Sequence, residues 1–294
     1  MKIALFTETY LPYINGVVTH VKALHDGLEK LGHEVLVVTV DTHAHHHYIK
    51  DGVLYCPAKE LKKIYNFGLA APLSGKRYRM MKHFKPDIIH IHQEFGIGLS
   101  GALIAKQLRI PLVYTLHTMY DDYLYYIVPQ KMIPLLKRIS HRYFKFLAKS
   151  ANALTGPSKK VQEYFDMCGV NKSVNVVPNP VELDVFNPSS LNREKIASIR
   201  AQYGIQPEDT VVCFCGRLGK EKSVDVLLDY WAETVKPDDH LKLMILGGGP
   251  SLPELQAQAK ALHIEEQVIF TDAIQHEDLP EYYGACQLYV TASL

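Results

Sequence analysis

The loop Gly216-Arg217-Leu218-Gly219-Lys220-Glu221-Lys222-Ser223 follows a short apolar run and opens a segment of helical spacing. Arg217 offers a planar fork of donors and Lys222 a point charge, a combination suited to a diphosphate and to negative charge developing on a leaving group. The same residues would also make an ordinary solvated loop. A second candidate is the turn Glu8-Thr9-Tyr10-Leu11-Pro12-Tyr13-Ile14-Asn15-Gly16-Val17. Asn15 or Gly16 can cap the helix that follows, and Gly16 lets a ligand approach N–H groups at the positive end of the helix dipole, an arrangement suited to phosphate. The turn lacks the G-x-G-x-x-G dinucleotide pattern, and a capping turn alone is its plainer reading. His117 follows the apolar run 112–116 and is close in sequence to Asp121 and Asp122, where an imidazole can orient a hydroxyl or donate to a developing charge, or serve structure alone. His90 and His92 alternate with period two and share one face of their strand. In Gly247-Gly248-Gly249-Pro250, Gly248 can admit a base or ribose closely, or the run can be a tight turn. His43, His45, His46 and His47 have the composition of a metal site but no ordered spacing, and read as a solvated loop.

Two basic stretches point to an anionic surface. Residues 131–149 carry Lys131, Lys137, Arg138, Arg142, Lys145 and Lys149 with no acid, and place Leu135, Ile139, Arg142 and Phe146 roughly on one helical face. Residues 59–85 carry Lys59, Lys62, Lys63, Lys76, Arg77, Arg79, Lys82 and Lys85 against Glu60 alone. An amphipathic helix on an anionic membrane is one reading, and a domain helix with a basic exposed face is the other. Each cation near such a surface contributes ~1 kcal/mol, weakening with salt. Aromatic stacking motifs do not accompany the basic runs, which argues against nucleic acid.

The elements that must position these residues are legible in the hydrophobic pattern. Short β-branched runs at 2–6, 34–40, 52–56, 88–92, 112–116 and 153–155 alternate with segments of helical spacing such as 17–31, as in parallel strand–helix–strand units rather than hairpins. After Val177-Pro178-Asn179-Pro180 and Asn187-Pro188, whose prolines exclude a continuous helix or central strand, the alternation restarts. Strands are expected at 210–215, 242–246, 267–271 and 288–291, and helices near 224–234, 253–262 and 279–285. Two doubly wound α/β domains, 1–177 and 178–294, are therefore expected, with a cleft at the carboxyl ends of their strands.

Composition fits that expectation. With 294 residues, 47% hydrophobic and 21% charged, the chain has material for two cores. Residues 1–150 hold 20 Lys+Arg against 11 Asp+Glu, net +9, and residues 151–294 hold 12 against 20, net −8. The five cysteines are scattered, which predicts reduced thiols. No run reaches the ~20 apolar residues of a membrane span, and residues 1–6 pass straight into polar Thr7 and Glu8, so a cytosolic location is expected.

Together, Asn15-Gly16-Val17, Leu116-His117-Thr118, Val177-Pro178-Asn179-Pro180 with Phe186-Asn187-Pro188, Gly216-Arg217 with Glu221-Lys222, and Gly247-Gly248-Gly249-Pro250 resemble glycosyltransferase family 4, in the family's order and over nearly the whole chain. Residues 6–12 and 117–123 most resemble the bacterial diacylglycerol glucosyltransferases of that family. The resemblance implies a GT-B fold, two Rossmann-like domains facing across a cleft, with a nucleotide-sugar donor such as UDP-glucose. It implies that Gly16, Arg217 and Lys222 grip the donor diphosphate, that Gly248 belongs to the donor site, and that His117 lies beside the transferred sugar and acceptor. Lys131, Lys137, Arg138, Arg142 and Lys145 would then face a lipid acceptor and an anionic membrane, with the protein peripheral on its inner face. Members retain anomeric configuration and use no bound metal, so cations and helix dipoles replace one. A polysaccharide or phosphoinositide acceptor, or a noncatalytic nucleotide- or membrane-binding role, is the alternative. The family's second domain continues past the strand at 288–291 with two donor-binding glutamates that are missing here, so an incomplete C-terminal domain and weak activity of this chain are expected.

Overall fold

The computed structural model describes residues 1–13, 15–61, 67–121, 124 and 129–293, and the chain divides into two compact units, Met1–Pro180 and Val181–Leu294. In the first unit the elements run β1 (Lys2–Phe6), α1 (Gly16–Lys30), β2 (Glu34–Asp41), β3 (Tyr48–Lys50), β4 (Val53–Pro57), β5 (Lys59–Leu61), β6 (Phe67–Leu69) and α2 (Gly75–Phe84), then β7 (Ile88–Ile91), α3 (Gly96–Leu108), β8 (Leu112–Thr115), α4 (Ile133–Ser150), β9 (Ala153–Gly156), α5 (Lys160–Met167) and β10 (Val174–Val176). Its sheet has the order β10-β9-β8-β7-β1-β2-β4-β3, parallel except where β3 pairs antiparallel with β4. Strand β1 is covered on both faces, which is why it reads as an unbroken apolar run. Ala4 and Phe6 pack in one core with Ile89, Ile97 and Phe144, while Ile3 and Leu5 pack in another with Val21, Val35 and Val37.

Two features depart from a purely parallel pattern. Strands β3 and β4 form a hairpin across Asp51-Gly52, both at positive φ (51° and 72°), which is the Asp-Gly turn signal of a tight antiparallel return. Strands β5 and β6 form a separate antiparallel ribbon.

The second unit runs α6 (Arg193–Gln202), β11 (Thr210–Cys215), α7 (Val224–Thr234), β12 (Leu241–Leu246), α8 (Leu252–Ala261), β13 (Val268–Phe270), α9 (Leu279–Gly284) and β14 (Leu288–Tyr289), with the parallel sheet order β13-β12-β11-β14. Phe214, Leu228, Trp231, Leu243 and Ile245 fill its core, and the indole N–H of Trp231 donates to Gln267 Oε1 at 3.0 Å.

In both sheets the order in which strands are added reverses once. The first unit builds β1, β2 and β4 outward on one side and then returns to place β7 on the other side of β1. The second builds β11, β12 and β13 outward and returns to place β14 beside β11. Loops leaving the carboxyl ends of strands at such a switch diverge to opposite faces and leave a crevice, the place where open α/β sheets bind ligands. Among the described residues no helix is long and apolar enough to cross a membrane.

Candidate functional site

In the first unit β1, β7 and β8 lie side by side and parallel, so the segments after them emerge together. Gln93 ties two of them. Its Oε1 accepts from Thr7 Oγ1 (2.9 Å) and from the Thr9 N–H (3.0 Å). Helix α1 starts beyond the first of these segments, and Asn15, not Gly16, is its cap, with Oδ1 accepting from the N–H groups of Val17 and Val18 at 3.0 Å each. Gly16 is exposed, and a Cβ built there would meet nothing within 4 Å. Packing therefore does not require glycine at this position. What the missing side chain leaves is open space over the N-terminus of a 15-residue helix.

His117, half-buried just past β8, sits in a nest of imidazoles. His92 Nδ1 lies 3.2 Å from His117 Nε2, and the two rings stack at 5.5 Å between centroids. The His20 ring, inside the first turns of α1, meets His117 edge-on at 4.7 Å, and its Nδ1 lies 2.9 Å from Asn179 Oδ1. His90 lies 4.0 Å from His92, ring to ring, with its Nε2 2.6 Å from Thr115 Oγ1. Burial first, and the neighbouring rings second, hold His90 and His117 down to about 3 and His92 well below the usual 6.5. Burial also lowers His20, against the hydrogen bond it donates to Asn179 Oδ1. All four rings are therefore neutral near pH 7 and have lone pairs to offer.

The shared face of His90 and His92 follows from strand alternation, but His20 escaped the sequence reading. Its signal was a polar residue between Val18 and Val21 on the buried side of α1. Of the carboxylates expected beside His117, Asp121 is paired elsewhere. It lies 2.8 Å from both His141 Nε2 and Lys137 Nζ of α4 and accepts from Tyr164, so the lysine of that helix and its neighbours take the carboxylate away from the neutral His117 ring. Asp122 and Tyr123 lie outside the described residues, as do Ile14, Lys62 and Lys63 of the other candidate segments.

Two buried acids adjoin the same strand ends. Glu8 Oε1 accepts from the N–H groups of Ile97 (2.8 Å) and Gly98 (3.2 Å), capping α3, yet burial pushes its carboxyl up to about 7. Glu94 accepts from the hydroxyls of Tyr114 (3.1 Å) and Tyr120 (2.5 Å), and burial pushes it up to about 8, assisted by Glu8. Neither was singled out from sequence.

In the second unit the exit from β12 is laced to the loop after β11. The Leu218 N–H donates to Gly248 O (2.9 Å), and the Ser251 N–H donates to Leu218 O (3.0 Å). A Cβ at Gly247 would run into Gly216 O and one at Gly249 into Leu218 O, so these two glycines permit the close approach, whereas Gly248 has ordinary room for a side chain. The loops carrying Arg217, Lys222 and Gly248 thus leave the carboxyl ends of the two central strands, β11 and β12. Arg217 Nη2 donates to Glu221 Oε1 at 2.6 Å, leaving a guanidinium already oriented by an internal carboxylate. Lys222 ends the 3₁₀ turn Lys220–Lys222 that leads into α7.

Helix α4 separates the basic candidates. Leu135, Ile139 and Phe146 are 57%, 54% and 48% exposed, on the same side as exposed Lys131, Arg138, Arg142 and Lys149. Lys137 turns to Asp121, and Lys145 packs over Gly169, so these two are set apart from that stripe. In the other basic stretch Arg77 is buried, with Nη1 donating to Ala71 O (3.1 Å), and it is therefore not a surface cation.

Comparison with known proteins supplies the lineage. Residues 14–185 match the family described as Glycosyltransferase Family 4, and residues 195–294 match Glycosyl transferases group 1. The chain is 31% identical over 294 residues to the alpha-monoglucosyldiacylglycerol synthase of Streptococcus pneumoniae, covering 100% of this chain and 66% of that protein. It is 31% identical over 301 residues to the synthase of the same name from Acholeplasma laidlawii, covering 100% of this chain and 75% of that protein. Among solved structures, sucrose-phosphate synthase from Thermosynechococcus elongatus superposes with a TM-score of 0.70 at 16% identity, over 99% of this chain and 75% of that one. WaaG, a glycosyltransferase involved in lipopolysaccharide biosynthesis, superposes with a TM-score of 0.66 at 14% identity, over 100% of this chain and 75% of that one. These likenesses establish the GT-B architecture of two Rossmann-like sheets, and the match over residues 14–185 establishes the lineage: the chain belongs to glycosyltransferase family 4.

Proposed function

We propose that this sequence serves a retaining transfer of glucose from UDP-glucose to a diacylglycerol in an anionic membrane. The second unit takes the donor. Arg217 and Lys222 neutralise the diphosphate as it departs, at the carboxyl ends of β11 and β12, where Gly247 and Gly249 let the two exit loops come close. The first unit takes the acceptor, with neutral His117 accepting a hydrogen bond from a sugar or acceptor hydroxyl. A charged imidazole could not accept there, and burial removes that charge.

The observation that carries the lipid acceptor is the stripe on α4. Its three exposed apolar side chains and flanking cations suit the boundary between headgroups and acyl chains of an anionic surface, where the protein would be peripheral on the inner face. Identity of 31% to two alpha-monoglucosyldiacylglycerol synthases supports the same reading.

The test is transfer of labelled glucose from UDP-glucose to diacylglycerol in vesicles containing phosphatidylglycerol, by the full protein carrying this sequence. A labelled glucosyl lipid is expected, and Arg217→Ala or Lys222→Ala should lower kcat/KM by about 10²–10³, equivalent to ~3–4 kcal/mol. Label appearing only with GDP-mannose, or only on a phosphoinositide or soluble glycan, would replace this acceptor and donor assignment. Unchanged turnover in both variants would remove Arg217 and Lys222 from the mechanism.

A further inference from the structure

The histidines around His117 outnumber what one hydrogen bond to a sugar requires. Among the described residues, His20, His92 and His117 are the one group of three potential ligand side chains whose donor atoms converge, all within 4.8 Å of one another. Their ring centroids are separated by 4.7, 5.5 and 5.6 Å. Three imidazoles bound tetrahedrally to one ion at 2.0–2.1 Å would have centroids roughly 5.2 Å apart and nitrogens roughly 3.3 Å apart. The rings are thus spaced for a common ion, and small side-chain rotations would bring the nitrogens into range.

Two further observations point to a ligand. His92 is completely buried, and its Nε2 has no hydrogen-bond partner, so one nitrogen of a ring closed off from water goes unused. His20, by contrast, is held from behind. With Nδ1 protonated it donates to Asn179 Oδ1, which fixes the tautomer that leaves the Nε2 lone pair free. An amide or carboxylate oxygen behind a histidine is the usual outer support of a metal-binding imidazole.

We propose that His20, His92 and His117 form a three-imidazole site for a borderline divalent transition ion of the zinc class, and that an ion there withdraws His117 from sugar transfer. The site is inhibitory rather than catalytic. Three neutral nitrogens suit zinc, cobalt or nickel and not magnesium or calcium, which require oxygen. The half-buried His117 gives the ion its way in, and a water completes the fourth position. A ligated His117 nitrogen has no lone pair left for a hydroxyl. The binding half of the proposal stands on geometry alone, and the inhibitory half rests on the role given to His117 above.

The experiment is titration of the untagged full chain with cobalt(II), read by the visible d–d bands of a four-coordinate nitrogen site, with zinc displacing the cobalt. One ion per chain is expected. Binding should be lost in His20→Ala and weakened about tenfold in Asn179→Ala, whose side chain lies at the surface and whose fold is checked by circular dichroism. It should persist in the His45→Ala/His46→Ala double variant, which removes the exposed histidine tract as a competitor. Absence of the bands in the wild type, or their loss in the tract variant with retention in His20→Ala, overturns the site. In the vesicle assay zinc should inhibit wild-type transfer, reversibly with a chelator, and turnover indifferent to bound zinc overturns the inhibitory half. The optical arm needs no substrate, so it stands or falls separately from the transferase reading.

Discussion

The chemistry of the first unit rests on side chains whose charge is set by burial rather than by type. Burial of His20, His90, His92 and His117 depresses their folded pKa, so the unfolded chain binds more protons below about 6.5, and stability falls as pH drops through that range. Glu8 and Glu94 act in the opposite sense. Their folded values, about 7 and about 8 against the usual 4.5, mean that the native state holds the extra protons, and stability is lost as pH rises through those values. The two terms oppose one another between the usual carboxylate and histidine values, where four rings outweigh two acids. Stability of the first unit should therefore peak at about pH 6–7 and decline on both sides, measured as urea midpoints across that range. Glu8→Gln should flatten the alkaline limb, and an unchanged limb would show Glu8 to be ionised in the fold. In the loop after β11, Arg217→Lys keeps the charge but not the fork, so under the proposed function its kcat/KM should fall between wild type and Arg217→Ala.

At the level of elements, the runs buried on both faces were the most legible. Strand β1 at Lys2–Phe6 and strand β11 at Thr210–Cys215 have the bounds that the apolar pattern predicts, as does helix α7 at Val224–Thr234. The short edge pieces were not. Strand β3 exposes Tyr48 and Ile49 and carries no inward period, and β5 and β6 are three residues each, so the hydrophobic pattern gave no handle. The hairpin at Asp51-Gly52 was detectable by its turn chemistry. Candidate residues followed the same rule. Arg217, Gly248 and His117 follow strands closely, and Lys222 the turn after one, where sequence position marks a candidate, whereas His20 and Asn179 come near His117 only through tertiary approach. Helix α4 gives a prediction of its own. Replacing Leu135, Ile139 and Phe146 by serine should abolish flotation with anionic vesicles, and Arg138→Glu with Arg142→Glu should weaken it by ~1 kcal/mol or more per residue at low salt. Flotation that survives both sets would assign another surface to the membrane.

On the scale of the whole chain, two sheets with separate cores imply two cooperative bodies rather than one. Denaturation is therefore expected in two transitions, and a nucleotide diphosphate should move only one. Excess UDP at about 100 times its Kd should stabilise the second unit by ~2.7 kcal/mol and leave the first where it was. A single transition shifted as a whole would contradict independent folding.

The lone tryptophan makes that experiment simple. Trp231 is packed in the core of the second unit and anchored to Gln267, while the 18 tyrosines are spread along the chain. Emission excited selectively at the indole band therefore reports the melting of α7 and its surroundings alone, an intrinsic optical label on the second unit that needs no dye and no engineered residue.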